Sequence, residues 1–155
     1  MSGMFWCIML AQLTTSNVYY QFINFGTTYN QIRFGETYNS SKNYMAAIPA
    51  MVMVGLLVFS QVTEKFGLKA KLLVFSSLLS IGSMICLYMF PARSGPVLIV
   101  PYIIFSLFFA IYSSVMWPAV PMTVNKKMVG FAYGLINAAN NIGLALYPFL
   151  FGYIN

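Results

Sequence analysis

The residues of this sequence that can recognise a polar solute are amides set inside long uncharged segments. In the first segment Asn17, Gln21 and Asn24 follow Thr14 at intervals of three, four and three residues. This spacing places all four side chains along one face of a helix. Because an amide both donates and accepts hydrogen bonds, the stripe can line a wet cavity that binds a polar solute. Hydrogen bonding to neighbouring helices is the alternative, and the residues leave both interpretations open.

A second stripe lies near the end of the chain, where Gly130, Gly134, Asn137 and Asn141 recur at intervals of four, three and four residues. The two glycines form the small-xxx-small pattern that lets another helix backbone come close, so they predict helix packing. The two asparagines are predicted either to contact solute or to bond a neighbouring helix. Asn140 lies about a third of a turn away from this stripe.

A third polar face falls in the fourth uncharged segment and consists of Tyr102, Ser106, Ser113 and Trp117. Among these residues we select Ser113 as a predicted solute contact. A tryptophan near a membrane boundary is equally typical of an interfacial anchor, so Trp117 keeps both interpretations. Pro118 and Pro121 follow directly, and we expect them to end or kink the helix.

Charged groups suited to catalysis are missing from these segments. Glu36 and Glu64 are the only acidic residues, both in predicted loops, and the sequence contains no histidine. General acid–base catalysis and metal binding need such groups, so we predict no enzyme activity, no cofactor and no metal site. A proton-coupled carrier usually keeps a carboxylate or histidine within the membrane. Another segment would have to supply such a relay here.

The elements that must position these side chains are transmembrane helices. Charged residues make up 6% of the 155 residues, whereas hydrophobic residues make up 60%. An ordinary soluble domain has about 25% charged residues. The charges divide the chain into uncharged windows long enough for helices of about 20 residues, the length that crosses a bilayer. We predict an all-α integral membrane protein with one domain over residues 1–155 and spans near 4–25, 44–62, 72–90, 97–117 and 129–153.

The net charge is +6, and the basic residues that produce it lie in the predicted loops, where they are accounted for by membrane topology. We therefore predict no nucleic-acid partner. One side of the membrane receives the loop residues Lys65, Lys69, Lys71, Lys126 and Lys127, and the other side receives Arg33, Lys42 and Arg93. The positive-inside rule then puts the lysine-rich loops and the N-terminus in the cytosol. Asn39-Ser40-Ser41 is a glycosylation acceptor pattern, and it falls in a predicted loop on the far side.

Two sequence runs resemble a known family. The loop Glu64-Lys65-Phe66-Gly67-Leu68-Lys69-Ala70-Lys71 resembles the signature loop of the major facilitator superfamily, with Gly67 suited to a tight turn. Glu64 replaces the usual aspartate, and Leu68 takes a position that is commonly basic. The later run of Trp117-Pro118-Ala119-Val120, Gly130-Phe131-Ala132-Tyr133-Gly134 and Asn141-Ile142-Gly143-Leu144-Ala145 is similar to the group of major facilitator superfamily domain-containing protein 1, which are lysosomal dipeptide transporters.

The resemblance implies that the five spans are helices seven to eleven, most of one six-helix half. It implies transport of a small polar organic solute, dipeptides among them, by alternating access between two halves. The implied partners are the lipid bilayer, the solute, and a second transporter half or other membrane subunits. The implied membrane is lysosomal or another endomembrane. The alternative is a transporter-derived structural subunit of a larger complex, for which the mitochondrial inner membrane is a candidate location.

Overall fold

The computed structural model describes residues 3–67, 69–91 and 95–154. Its elements are five long helices: α1 (Gly3–Phe34), α2 (Tyr38–Phe66), α3 (Lys69–Met89), α4 (Ile99–Thr123) and α5 (Val129–Ile154). Short 3₁₀ turns, Gly95–Leu98 and Lys126–Met128, precede α4 and α5. The described part of the chain has no β-strand. The prediction of an all-α membrane fold is confirmed.

Three helices extend well beyond the spans predicted for them: α1 and α4 at their C-terminal ends, and α2 at its N-terminal end, which lies at Tyr38 rather than Tyr44. Helix α1 continues beyond Phe25 to Phe34, because the residues that follow include no proline that would stop a helix. Helix α4 continues beyond Trp117 to Thr123 with both prolines inside it. Proline is tolerated in membrane helices when neighbouring groups satisfy the freed carbonyls, so its presence did not end this helix.

The ends of α1 and α2 are set by glycines. Gly35 and Gly67 have φ values of 67° and 63°, a left-handed conformation that strains any residue with a Cβ. The N–H groups of Gly35 and Gly67 donate to the carbonyls of Gln31 and Thr63, both at 3.1 Å, which closes each helix. Thr37 caps α2, since its Oγ1 accepts a hydrogen bond from the Ser40 N–H at 3.3 Å.

Parts of two predicted loops are helical. Asn39 lies in the first turn of α2, not in a loop, and Ser41 of the same acceptor pattern is fully buried. Glu64 and Lys65 form the last turn of α2, and Lys69 begins α3, so the predicted signature loop shrinks to the residues around Gly67. Leu68 and the predicted loop residue Arg93 lie outside the described residues.

The helices have the length and composition of a multi-pass membrane protein. Within the described residues, four segments are long and apolar enough to cross a bilayer: Tyr38–Lys65, Lys69–Met89, Ile99–Thr123 and Lys126–Phe149. Helix α1 is not among them. Its 32 residues are long enough, about 48 Å against a hydrocarbon core of about 30 Å, but its amides and threonines make it more polar.

The chain divides into two compact units. Unit 2 comprises residues 25–115, and the described residues of unit 1 run from 3 to 24 and from 116 to 154. In unit 2, α4 is the helix against which the others pack. Gly55 of α2 faces Ala110, where an added Cβ would lie 2.7 Å from the alanine Cβ. The Ser83 hydroxyl of α3 donates to the Pro101 carbonyl at 2.8 Å.

Unit 1 is built from the first part of α1, the end of α4 and all of α5. Here α1 packs against α5 through Asn17 and Gly143. The end of α4 packs against α5 through Trp117 and Tyr133, whose rings are stacked with centroids 5.8 Å apart. Unit 1 therefore carries all five of the amides selected from the sequence.

Candidate functional site

The amide stripe of α1 is only partly buried. Asn17 and Gln21 are 0% and 5% exposed, whereas Thr14 and Asn24 are exposed. The Thr14 hydroxyl donates to the Leu10 carbonyl of its own helix at 3.0 Å. A helix turns by about 100° per residue, so Thr14 and Asn24 flank the buried pair on either side. The pair Asn17 and Gln21 is therefore the part of the stripe that faces protein.

Asn17 is seated against a glycine of α5. A Cβ added at Gly143 would lie 2.7 Å from the Asn17 Cγ, closer than real Cβ contacts, so only glycine leaves room for this carboxamide. The Asn17 Nδ2 donates to the Leu13 carbonyl at 2.6 Å. The Oδ1 has no hydrogen-bond partner among the described residues. One half of the amide is thus anchored, and the other half is left for a further donor.

Two more buried amides belong to the same two helices. Neither the oxygen nor the nitrogen of the Gln21 side chain has a partner within the described chain, and the same holds for Asn140 Oδ1. Gln21 lies one turn after Asn17 on α1, and Asn140 lies one turn before Gly143 on α5. We call Asn17, Gln21, Asn140 and Gly143 the α1–α5 seam.

The seam carries hydrogen-bonding groups that the described helices do not use. A buried amide group without a partner loses its hydration and gains nothing in return, which costs about 1–3 kcal/mol for each group. Such groups are satisfied by water, by a ligand or by a change of conformation. These amides provide neutral hydrogen-bond acceptors and donors, which can bind a polar solute or ordered water.

Helix α5 has three distinct faces. Its buried face consists of Ala132, Ile136, Asn140 and Gly143. An exposed apolar face, suited to lipid, consists of Phe131, Ile142, Leu146 and Phe149. A second exposed face is small and polar and consists of Gly130, Gly134, Asn137 and Asn141. We call this last set the open polar face of α5.

The open polar face is the stripe selected from the sequence, and it is not the face that packs within the described chain. A Cβ at Gly130 or Gly134 would meet no described atom within 4 Å. The packing role of these glycines therefore stays a prediction. Gly143 is the glycine that contacts α1, and Asn140 rather than Asn141 is the buried amide of α5.

The six predicted solute contacts therefore do not form one group. Asn17 and Gln21 share the seam, Asn24 is exposed on α1, and Asn137 and Asn141 lie on the open polar face. Ser113 belongs to unit 2, where it is 4% exposed and its Oγ has no hydrogen-bond partner among the described residues. Two of the six are thus brought together.

Several buried polar residues escaped the sequence interpretation. Gln12 and Ser16 of α1 are 3% and 2% exposed, and they lie on the face opposite the amide stripe. In unit 2 the Tyr102 hydroxyl donates to Asn30 Oδ1, joining α4 to α1. The missed signal is a second helical period: Gln12, Ser16 and Tyr19 recur at intervals of four and three residues, like the chosen stripe.

The described residues hold no group of three or more histidine, cysteine, aspartate or glutamate side chains that could bind a metal ion. The geometry therefore presents neutral amides and hydroxyls on membrane helices. Helices of this length and composition define a multi-pass integral membrane protein. Polar side chains in such helices usually mark a pathway or a site for a polar species.

Comparison with protein families gives the more particular assignment. The profile of the Major Facilitator Superfamily matches residues 1–148, nearly the whole chain, so the chain belongs to that superfamily. Its members are membrane transporters, and the chain is accordingly of the major facilitator type. Comparison with curated protein sequences and with solved structures gives no significant match.

Proposed function

We propose that the chain forms part of a carrier that moves a small polar organic solute by alternating access. The observation that carries this proposal is the chemistry of α5, which separates a lipid-type face from an open polar face. Amides exposed to hydrocarbon are unfavourable, so the open polar face must meet water, solute or protein. In a major facilitator protein, water and solute occupy the space between two halves.

The predicted site residues contribute to solute binding in different ways. Asn24 of α1 and Asn137 and Asn141 of α5 are exposed amides that contact the solute directly. Asn17 and Gln21 are buried, and their unpartnered groups become available when α1 and α5 separate. Ser113 has a buried hydroxyl in unit 2, and its contact with the solute stays a prediction. A seam that is unsatisfied when closed favours opening in the presence of a hydrogen-bonding solute.

Dipeptides are the first solutes to test, because the resemblance to the lysosomal dipeptide transporter group implies them. The same resemblance supports a lysosomal or other endomembrane location and the assignment of the five helices as seven to eleven. The second half of the carrier is then a separate segment or chain that covers the open polar face.

Uptake by reconstituted vesicles tests the proposal. The protein is purified from its own membrane with any bound partners, and uptake of labelled glycylglycine and of glucose is measured. We expect Asn141→Ala and Gln21→Ala each to lower uptake by about tenfold, the equivalent of one lost hydrogen bond of about 1.4 kcal/mol, without lowering the folded yield.

Gln61→Ala is the matched control, because Gln61 is an exposed amide on α2 outside the proposed site. It should leave uptake unchanged. If Asn141→Ala and Gln21→Ala behave like this control, the amides have no role in transport and the proposal fails.

A structural subunit without transport activity is the second candidate. Gly130 and Gly134 favour it, because their open stripe fits a partner helix rather than a wet cavity. Native gel electrophoresis of a mild detergent extract separates the two. Migration with a large complex, combined with loss of that complex on Gly134→Leu and no uptake of either probe, would favour the subunit.

A further inference from the structure

The end of α4 contains Pro118 and Pro121, and yet the helix runs on to Thr123. Proline has no backbone N–H, so each proline leaves the carbonyl four residues earlier without its helical donor. For Pro121 that carbonyl belongs to Trp117. An unpaired carbonyl in or near hydrocarbon is strongly unfavourable, so a membrane helix keeps such a proline only where another group replaces the donor.

Tyr133 of α5 supplies the replacement. Its hydroxyl donates to the Trp117 carbonyl oxygen at 3.0 Å. The tyrosine ring also stacks on the Trp117 indole, with centroids 5.8 Å apart and ring planes inclined by 28°. Both residues belong to unit 1, so the contact lies within one compact body. A side chain of α5 thus completes the backbone bonding of α4.

The connection between α4 and α5 is short, and hydrogen bonds to Asn125 stabilise it. Asn125 Oδ1 accepts a hydrogen bond from the Lys127 N–H at 3.4 Å, and the Met128 N–H donates to the Asn125 carbonyl at 2.8 Å. These bonds form the 3₁₀ turn that leads into α5. The hairpin of α4 and α5 is therefore held at two places. Asn125 holds the turn, and Tyr133 holds the two helices together about one and a half helical turns after Met128, where the turn ends.

We propose that the Tyr133 hydroxyl is a latch on a proline hinge in α4. While it bonds the Trp117 carbonyl, the segment from Trp117 to Thr123 stays helical and moves together with α5. When the bond is released, that carbonyl loses the donor that replaces the proline N–H, and α4 bends at Pro118 and Pro121. The latch is independent of which solute the protein carries.

A single-site infrared measurement tests the bond directly. The sequence has two tryptophans, Trp6 and Trp117, so Trp6→Phe followed by labelling with carbonyl-¹³C tryptophan leaves one reporter carbonyl at Trp117. We expect Tyr133→Phe to move its amide I band to higher wavenumber, because the carbonyl loses a donor while the ring stack remains. Pro121→Ala restores the backbone N–H, so the band should return in the double variant Tyr133→Phe with Pro121→Ala.

Thermal unfolding and hydrogen exchange of the same purified variants show what the bond does. Tyr133→Phe should lower the unfolding midpoint by about 2–4 °C and speed exchange of the amides between Ala119 and Thr123. Adding Pro121→Ala should restore both properties. A role in ring packing alone would leave the carbonyl band and the exchange of these amides unchanged.

Tyr153→Phe is the control, because Tyr153 lies on the same helix and is 92% exposed. It should change none of the three readouts. An unmoved Trp117 band in Tyr133→Phe would overturn the proposal. So would an equal loss of thermal stability from Tyr133→Phe with and without Pro121→Ala.

Discussion

The two compact units contain two kinds of buried polar group, one bonded between helices and one without a partner in the described chain. In unit 2, hydroxyls tie one helix to another: Ser83 donates to the Pro101 carbonyl, Tyr102 donates to Asn30, and the Thr63 and Ser114 hydroxyls lie 3.4 Å apart. In unit 1 the Tyr133 hydroxyl ties α5 to α4 in the same way. The amides of the α1–α5 seam, however, keep groups without partners in the described chain, as Asn30 Nδ2 and Ser113 Oγ of unit 2 also do. Bonds of the first kind stabilise a helix bundle, whereas open groups of the second kind cost stability.

The difference between bonded and partnerless groups separates candidates for the scaffold from candidates for a site. A polar group that serves only the fold is normally satisfied by the fold itself. Groups that bind something else must be left available, and their cost is offset by packing elsewhere. Single substitutions in each unit test whether the two kinds of polar group contribute differently to stability.

The largest expected effect is at Gly143. Gly143→Ala places a methyl group where the Asn17 carboxamide sits, and Asn17 has a short, stiff side chain anchored to Leu13. We expect a loss of about 1–3 kcal/mol, the usual cost of overpacking. The measurement is the midpoint of thermal unfolding in detergent.

Gly134→Ala provides the matched substitution on the open polar face. An added methyl group there meets no described atom within 4 Å, and alanine is the better helix former. The stability of this variant should stay the same or rise slightly. Equal destabilisation by both substitutions would show that the seam is not where α1 and α5 meet.

The next effect is at Tyr102 in unit 2. Tyr102→Phe removes the hydroxyl that donates to Asn30 Oδ1, and the Asn30 Nδ2 already has no partner among the described residues. The variant buries an amide with no bond at all, so we expect a loss of about 1–2 kcal/mol. Chemical or thermal unfolding measures it. A variant as stable as the parent would mean that unit 2 does not depend on its side-chain bonds.

At Gln21 in unit 1 we expect a substitution to raise stability rather than lower it. Gln21→Met keeps the length of the side chain and removes both unpartnered polar groups, so stability should rise by up to about 1 kcal/mol. Uptake by reconstituted vesicles should fall at the same time. If Gln21→Met lowers stability instead, the Gln21 side chain makes a hydrogen bond in the closed seam. Gln21 would then belong to the scaffold.

The sequence was sufficient for the number and type of the helices, because uncharged windows are a direct consequence of the lipid solvent. It was less informative about helix ends. Residues such as Thr27 and Gln31 are polar, yet they continue α1, and the α4 prolines are accommodated by a contact with Tyr133 that lies sixteen residues away from Trp117. Local propensity cannot report a donor supplied by another helix.

The site was predictable only in part, for a related reason. On α5 both candidate stripes follow helical intervals of three and four residues, and one ends in Asn141 whereas the other ends in Asn140 and Gly143. Which stripe is buried depends on the helix that packs against it, and the small-xxx-small pattern favoured the stripe that proved to be open. In a membrane helix both the partner face and the cavity face are small and polar, so composition alone does not distinguish them.

The smallest effect compares two serines on one helix. Ser83 and Ser76 of α3 are both fully buried, but Ser83 donates to the Pro101 carbonyl of α4, whereas Ser76 donates to the Leu73 carbonyl of its own helix at 2.8 Å. Ser83→Ala should cost about 0.6 kcal/mol, the average for a bond between membrane helices. Ser76→Ala should cost nothing measurable, because the Leu73 carbonyl keeps its backbone donor within the helix. Equal losses from the two variants would mean that burial of the hydroxyl, not the bond to α4, sets the energy, and the contrast between satisfied and open groups would then carry no information about function.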